Sequence, residues 1–169
     1  SCTAKVTVEC DPASFDLSGN VSTEYGESVE DVTIDVTGSS TASTTTDTAG
    51  DYDVTIGDGT QVTVTPTRDT NPQAGVSTAD LIAIQLHIID LVPLSTPEQL
   101  IAADATNDGE ITTVDLVQIQ LMLIGLTDGY LNNESWRFVR SDYVFPDPTN
   151  PWQEAWPEDT TLYNLSGDV

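Results

Sequence analysis

Between Phe15 and Thr65 apolar and polar positions alternate. The runs FDLSGNV, SVEDVTIDV, DYDVTI and TQVTVTP are rich in Val, Ile and Thr, and a period of two turns one face of each strand inward. Tyr25-Gly26-Glu27, Gly38-Ser39-Ser40, Ala49-Gly50-Asp51 and Gly57-Asp58-Gly59 supply turn chemistry between them. The pattern predicts antiparallel strands folded into a small sandwich with hydrophilic outer faces.

Near Thr67 the period becomes helical. Ser77 is placed to cap a helix over 78–89 whose Leu81, Ile84, Ile88 and Leu91 fall along one stripe, and Pro93 stops it. Ser95-Thr96-Pro97-Glu98 reads as a capping box with proline in the first turn, opening a short helix to 103. A third helix follows Thr112 or Thr113, with Leu116, Ile119, Gln120 and Leu123 in register and Gly125 as its C-terminal cap. From Leu131 no period holds. That stretch carries Trp136, Phe138, Tyr143, Phe145, Trp152, Trp156 and Tyr163 among prolines; so many aromatics require burial, which predicts an extended, packed wrap. A carbohydrate-binding platform of Trp136, Trp152 and Trp156 is the competing reading.

The expected fold class is therefore α+β in two modules. An antiparallel β-sandwich covers 13–67, a helical module 68–130, and an aromatic, proline-rich tail 131–169, with 1–12 expected to belong to the end of a preceding repeat. The ending at 165–169 reads as cut within a domain, so the chain is expected to be a piece of a longer polypeptide.

Sliding the chain on itself by 35 positions, from Asp69 to Asp104, exposes an internal repeat: DTNPQAGVSTADL at 69–81 against DATNDGEITTVDL at 104–116. Each copy has an acid at its first and twelfth places, Val or Ile at the eighth, a hydroxyl at the ninth and Leu at the thirteenth. Calcium takes six to eight oxygens, and a twelve-residue loop offers them from places 1, 3, 5, 7 (through its carbonyl), 9 and 12. In the second copy these are Asp104, Thr106, Asp108, the Glu110 carbonyl, Thr112 and Asp115, with Gly109 at the sixth place where the loop must turn. In the first they are Asp69, Asn71, Gln73, the Gly75 carbonyl, Ser77 and Asp80, with Ala74 at the sixth place and Pro72 stiffening the loop. Three carboxylates against two predict two calcium ions, the second loop holding its ion more tightly. The competing reading is that Asp80 and Asp115 are only first-turn acids favoured by the helix dipole.

Composition has two readings, a solvated acidic face suited to salty surroundings, which it favours when taken alone, or a set of cation sites, and it excludes several partners. Asp and Glu number 28 against 4 Lys and Arg, a net charge of -24, which repels phosphate backbones and anionic lipid. Neither nucleic acid nor membrane insertion is expected, because the most apolar stretches are broken by Gln85, His87, Asp90, Asp115, Gln118 and Gln120. Cys2 and Cys10 are the only cysteines; a disulfide in an oxidising compartment is expected, two buried thiols being the alternative. His87 is the only histidine and sits mid-helix among apolar residues, so no Ser-His-Asp or Cys-His set can be assembled without it, and no enzyme is expected.

Two family resemblances sharpen this reading. LSGNV, SVEDVTIDVTG and TTDTAGDYDVTI are similar to carboxypeptidase-regulatory-like, transthyretin-like domains, which occur as repeats in bacterial surface proteins, and KVTVEC resembles the last strand of an immunoglobulin-like repeat. The paired loops, each feeding one helix and each ending in Asp, together with the linking QLIAAD, resemble dockerin modules. Dockerins fold around two calcium ions and bind cohesins through their loop-helix segments. This chain departs from them at Gln73, Ala74 and Thr106, and has Ile82-Ala83 and Val117-Gln118 where many cohesin binders carry polar pairs. The whole run looks like the C-terminal part of a large exported adhesin. That resemblance implies a secreted, cell-surface structural segment whose partners are neighbouring repeats or other copies, the alternative being a recognition module for a cohesin-like protein or a glycan. Asp47-Thr48-Ala49 and Asp159-Thr160-Thr161 resemble short O-glycan acceptors, making Thr48 and Thr160 candidate sugar sites.

Overall fold

The computed structural model describes residues 14–57, 59–68 and 70–165. Cys2 and Cys10, the N-terminal residues assigned to a preceding repeat, and Asp69 of the first loop lie outside the described residues. The architecture is α+β: two antiparallel sheets and three helices.

The first sheet pairs β1 (Ser14–Asn20) with β4 (Asp51–Gly57). The second runs β3-β2-β5-β6, built from β2 (Thr33–Gly38), β3 (Ala42–Thr45), β5 (Gly59–Thr67) and β6 (Thr160–Leu165). Alternation does what period two dictates. Val54 and Ile56 of β4 are buried while Asp51, Asp53 and Thr55 face water, and they meet Ile34, Val36, Val62 and Val64 of the second sheet in one core. Burying such side chains stabilises by about 1.5–3 kcal/mol each, the main force holding the sheets together.

Two features differ from the sequence expectation. Ala42–Thr45 is a strand although its Ser and Thr residues carry no apolar period; it pairs with β2 at the sheet edge, where little burial is demanded. The end of the presumed tail is not separate from the sandwich. β6 lies antiparallel on β5, with Val62 opposite Leu162 and Val64 opposite Thr160, so the sandwich is completed by residues that follow the helical half.

α1 (Thr78–Ile88), α2 (Pro97–Ala103) and α3 (Thr113–Leu123) occupy the positions the pattern predicted, except that Leu91, expected on the α1 stripe, lies past the helix end and is exposed. α1 and α3 start with matching capping boxes, Ser77 with Asp80 and Thr112 with Asp115. At α2 the cap is Thr96, whose Oγ1 accepts the Gln99 amide at 3.2 Å; Gln99 Oε1 accepts the amide of the preceding Ser95 at 2.9 Å, so the capping box expected from Ser95 and Glu98 is not the one formed. Gly125 has φ of 71°, the left-handed residue that ends α3. Ile84, Ala103, Ala105 and Ile119 form this half's core, flanked by Leu81, Ile88, Leu116, Leu123 and Tyr130. His87 is half-buried and accepts the Leu94 amide through Nδ1 at 3.1 Å, pinning the chain that leaves α1.

Contacts tie the halves together. Thr96 Oγ1 donates to Glu24 at 2.8 Å and Gln99 Nε2 to the Tyr25 hydroxyl at 2.8 Å, joining the α2 entrance to a turn of the sandwich. Within residues 131–159 several aromatics are partly or fully buried, while Leu131 and Val144 are exposed. Trp136 and Phe138 lie against the sandwich core, the Arg68 guanidinium sits 4.5 Å over Trp136, and Trp156 packs between Phe145 and Arg137.

Candidate metal centre

Asp104 closes α2 and Asp115 opens α3, so the 104–115 loop returns its two end carboxylates to one another. Both are buried, at 1% and 0% exposure. Asp104 Oδ2 accepts the Gly109 amide at 2.9 Å and its Oδ1 the Asp108 amide at 3.1 Å. Asp115 Oδ2 accepts the Thr112 amide at 2.8 Å as the capping box requires, while its Oδ1 accepts the amide and the hydroxyl of Thr106, both at 2.9 Å. The same Thr106 hydroxyl lies 3.4 Å from Asp104 Oδ1. It carries one proton and faces two carboxylates, so it serves Asp115 more closely, while both Asp104 oxygens are held by backbone amides.

The turn that brings these groups together depends on two left-handed residues, Asn107 at φ 57° and Gly109 at φ 81°. Gly109 is covered by Trp152: a Cβ built there would stand 3.6 Å from Trp152 Cγ, an ordinary van der Waals contact.

None of the three described cations reaches this pair. Arg137 is engaged with Glu158, Arg140 with Asp142, and Arg68 with the Trp136 ring. Two buried carboxylates without a counter-charge are costly, several kcal/mol apiece after relaxation, and amide donors offset only part of that.

The donor chemistry fits calcium. Asp104, Asp108, Asp115, Thr106, Thr112 and the Glu110 carbonyl are all oxygen donors within one twelve-residue loop. Among the described residues, however, no three His, Cys, Asp or Glu side chains are gathered as a ready metal group. The reason at this loop is Asp108, whose Oδ1 is turned to the Glu110 amide at 3.0 Å and whose side chain is exposed. An ion in the loop would require Asp108 to rotate inward.

The first loop does not follow the same path. Its left-handed residues are Asn71, φ 52°, and Gly75, φ 78°, at the third and seventh places, whereas in the second loop they stand at the fourth and sixth. Gln73, the fifth-place candidate, points away to donate its Nε2 to the Met122 carbonyl near the end of α3 at 2.6 Å. Asp80 is exposed, and the hydrogen bonds it accepts come from the Ser77 amide at 2.7 Å and hydroxyl at 2.8 Å. So the structure brings together Asp104, Thr106, Thr112 and Asp115, and does not bring Gln73 to Ser77 and Asp80. The Met122 carbonyl, in the last turn of α3, already accepts the Gly125 amide at 3.0 Å and takes the Gln73 amide as a further donor.

The candidate sugar acceptors also differ. Thr48 is exposed in a turn held by Asp47 Oδ1, which accepts the Ala49 and Asp51 amides at 2.8 and 3.0 Å, while Thr160 is half-buried opposite Val64.

No family model, no curated protein and no solved structure matches this chain. Among the described residues no helix is long and apolar enough to cross a membrane.

Proposed function

We propose that this chain is a non-enzymatic, calcium-binding structural segment of a secreted cell-surface protein, in which calcium in the 104–115 loop stiffens the helical half. One observation carries the reading: Asp104 and Asp115, both buried, face each other across Thr106 with no cation of the described residues beside them. A divalent ion there supplies the missing charge and uses the loop's remaining oxygens. The dockerin-like repeat supports the same assignment. The 69–80 loop is the weaker site, with two carboxylates in its sequence and Gln73 committed elsewhere.

The test is calorimetric titration of calcium into the full chain, with melting curves in calcium and in chelator. Saturable binding that Asp115→Asn removes, and a higher melting temperature in calcium, are expected. A ligand at a hundred times its dissociation constant stabilises by about 2.7 kcal/mol. Melting unaffected by chelator, with no heat of binding, would leave helix capping as the sole role of these acids.

A second reading, recognition of a protein partner, has one observation in its favour. Ile82, Ile89 and Leu91 are exposed, and so are Val117, Ile124 and Leu126, their counterparts in the repeat. Apolar side chains displayed twice in the same pattern suit a helix-face contact. Cohesin-type binding of the calcium-loaded chain would favour that reading over a purely structural one.

A further inference from the structure

We infer that Asn133, Arg137 and Trp152 are positioning residues of the 104–115 calcium site, and that through them an ion in this loop strengthens the docking of β6 on the sandwich. This rests on the calcium reading above. The three side chains come from the segment between α3 and β6 and reach the loop at its first, fourth and sixth places. Asn133 Nδ2 donates to the Asp104 carbonyl at 2.7 Å, Arg137 Nη1 donates to Asn107 Oδ1 at 3.1 Å, and Trp152 covers Gly109. Two of those places are the left-handed residues on which the turn depends. None of the three touches a carboxylate of the loop, so they hold its backbone path rather than ligate.

The same side chains lead back to the sandwich. Arg137 Nη1 also donates to Asn133 Oδ1 at 3.2 Å, its Nε donates to Glu158 Oε1 at 2.9 Å, and Glu158 Oε2 accepts the Phe138 amide at 3.2 Å. Glu158 stands two residues before β6, and Phe138 packs on the sandwich core. A hydrogen-bonded chain thus runs from the Asp104 carbonyl through Asn133 and Arg137 to the start of β6. Charge-assisted bonds of this kind are about twice as strong as neutral ones, and Arg137 is the only described cation in the chain of contacts. If the ion favours the closed loop and the closed loop favours this clamp, linkage makes the effect reciprocal: calcium protects β6, and loosening the clamp weakens calcium.

Hydrogen exchange of the full chain, read at the β6 amides in saturating calcium and in chelator, tests the coupling, with calorimetric affinity measured in parallel. Calcium is expected to slow β6 exchange. Arg137→Ala is expected to weaken calcium binding by about 5- to 10-fold, the lower part of the range for coupled sites, and to flatten the calcium effect on β6. Trp152→Ala should act in the same direction without removing an ion pair. Arg140→Ala, which loses only the exposed pair with Asp142, should change neither quantity. Calcium binding to the wild-type chain with β6 exchange the same in both conditions would overturn the coupling while leaving the calcium assignment intact. No calcium binding at all would remove both. Should Arg137→Ala not fold, the wild-type exchange comparison decides alone.

Discussion

Asp115 Oδ1 accepts both the amide and the hydroxyl of Thr106 at 2.9 Å, so the acid that opens α3 also closes the loop nine residues before it. Among the described residues its counterpart Asp80 makes the cap alone. The duplicated capping boxes therefore hide different environments, a buried loop centre in one half and an exposed first turn in the other. Local helix-start chemistry is shared; what surrounds it is not.

Asp115→Ala should accordingly cost more than Asp80→Ala in both calcium affinity and thermal stability. Removing Asp115 orphans the part-buried amides of Thr106 and Thr112, at about 1 kcal/mol each, the lower end for a donor left unpaired. Removing Asp80 loses an exposed cap, about 1 kcal/mol. Paired melting curves, with calcium and with chelator, check this; equal losses in both variants would contradict the buried-loop account.

The elements that the sequence makes legible are those with local signals. Ser77, Thr112 and Pro97 announce helix starts, and Val54, Ile56, Val62 and Val64 alternate as buried strand residues must. β3 escaped because Ser43, Thr44 and Thr45 have no apolar face to reveal, and β6 because Leu162 pairs with Val62 at a separation no short-range pattern encodes. At the candidate site, the spacing of Asp104, Asp108 and Asp115 is readable as a loop. The burial of its ends and the cover supplied by Trp152 come from tertiary packing alone. Gln73 stands at a ligand place by count, yet an amide that can donate finds a helix-end carbonyl instead.

Thr46 gives a sharp test of the sandwich. It is buried, its hydroxyl donates to the Val29 carbonyl at 2.7 Å, and it accepts the Val32 amide at 3.0 Å. Thr46→Val keeps the shape and leaves both backbone groups unsatisfied, so a loss of about 1–3 kcal/mol is expected. Denaturant unfolding measures it, and a neutral result would mean that water replaces the hydroxyl.

Gly50 and Gly26 separate backbone strain from collision. Both have positive φ, 77° and 79°, so alanine is strained at either by about 1–2 kcal/mol. Only at Gly50 would the new Cβ also meet backbone, 2.3 Å from the Val21 carbonyl oxygen; at Gly26 nothing lies within 4 Å. Gly50→Ala should therefore destabilise clearly more than Gly26→Ala in the same denaturant assay.

Alkaline pH should weaken the fold through two tyrosines. Burial raises the Tyr52 phenol above its ordinary value of 10.0, and at Tyr130 burial, followed by the negative charge of Asp80, does the same. A phenol held protonated in the folded state binds its proton more tightly there than in the unfolded chain. Its contribution is thus complete below the unfolded value and is lost as pH rises through the folded one, giving a falling melting temperature above pH about 10. Tyr130→Phe keeps the ring packed beside Leu123 and Ile88 in the helical core and removes the ionisable group. It should leave the melting temperature at neutral pH nearly unchanged and reduce the alkaline decline. An undiminished decline in the variant would shift the whole effect to Tyr52 and deny Asp80 its influence on the helical half.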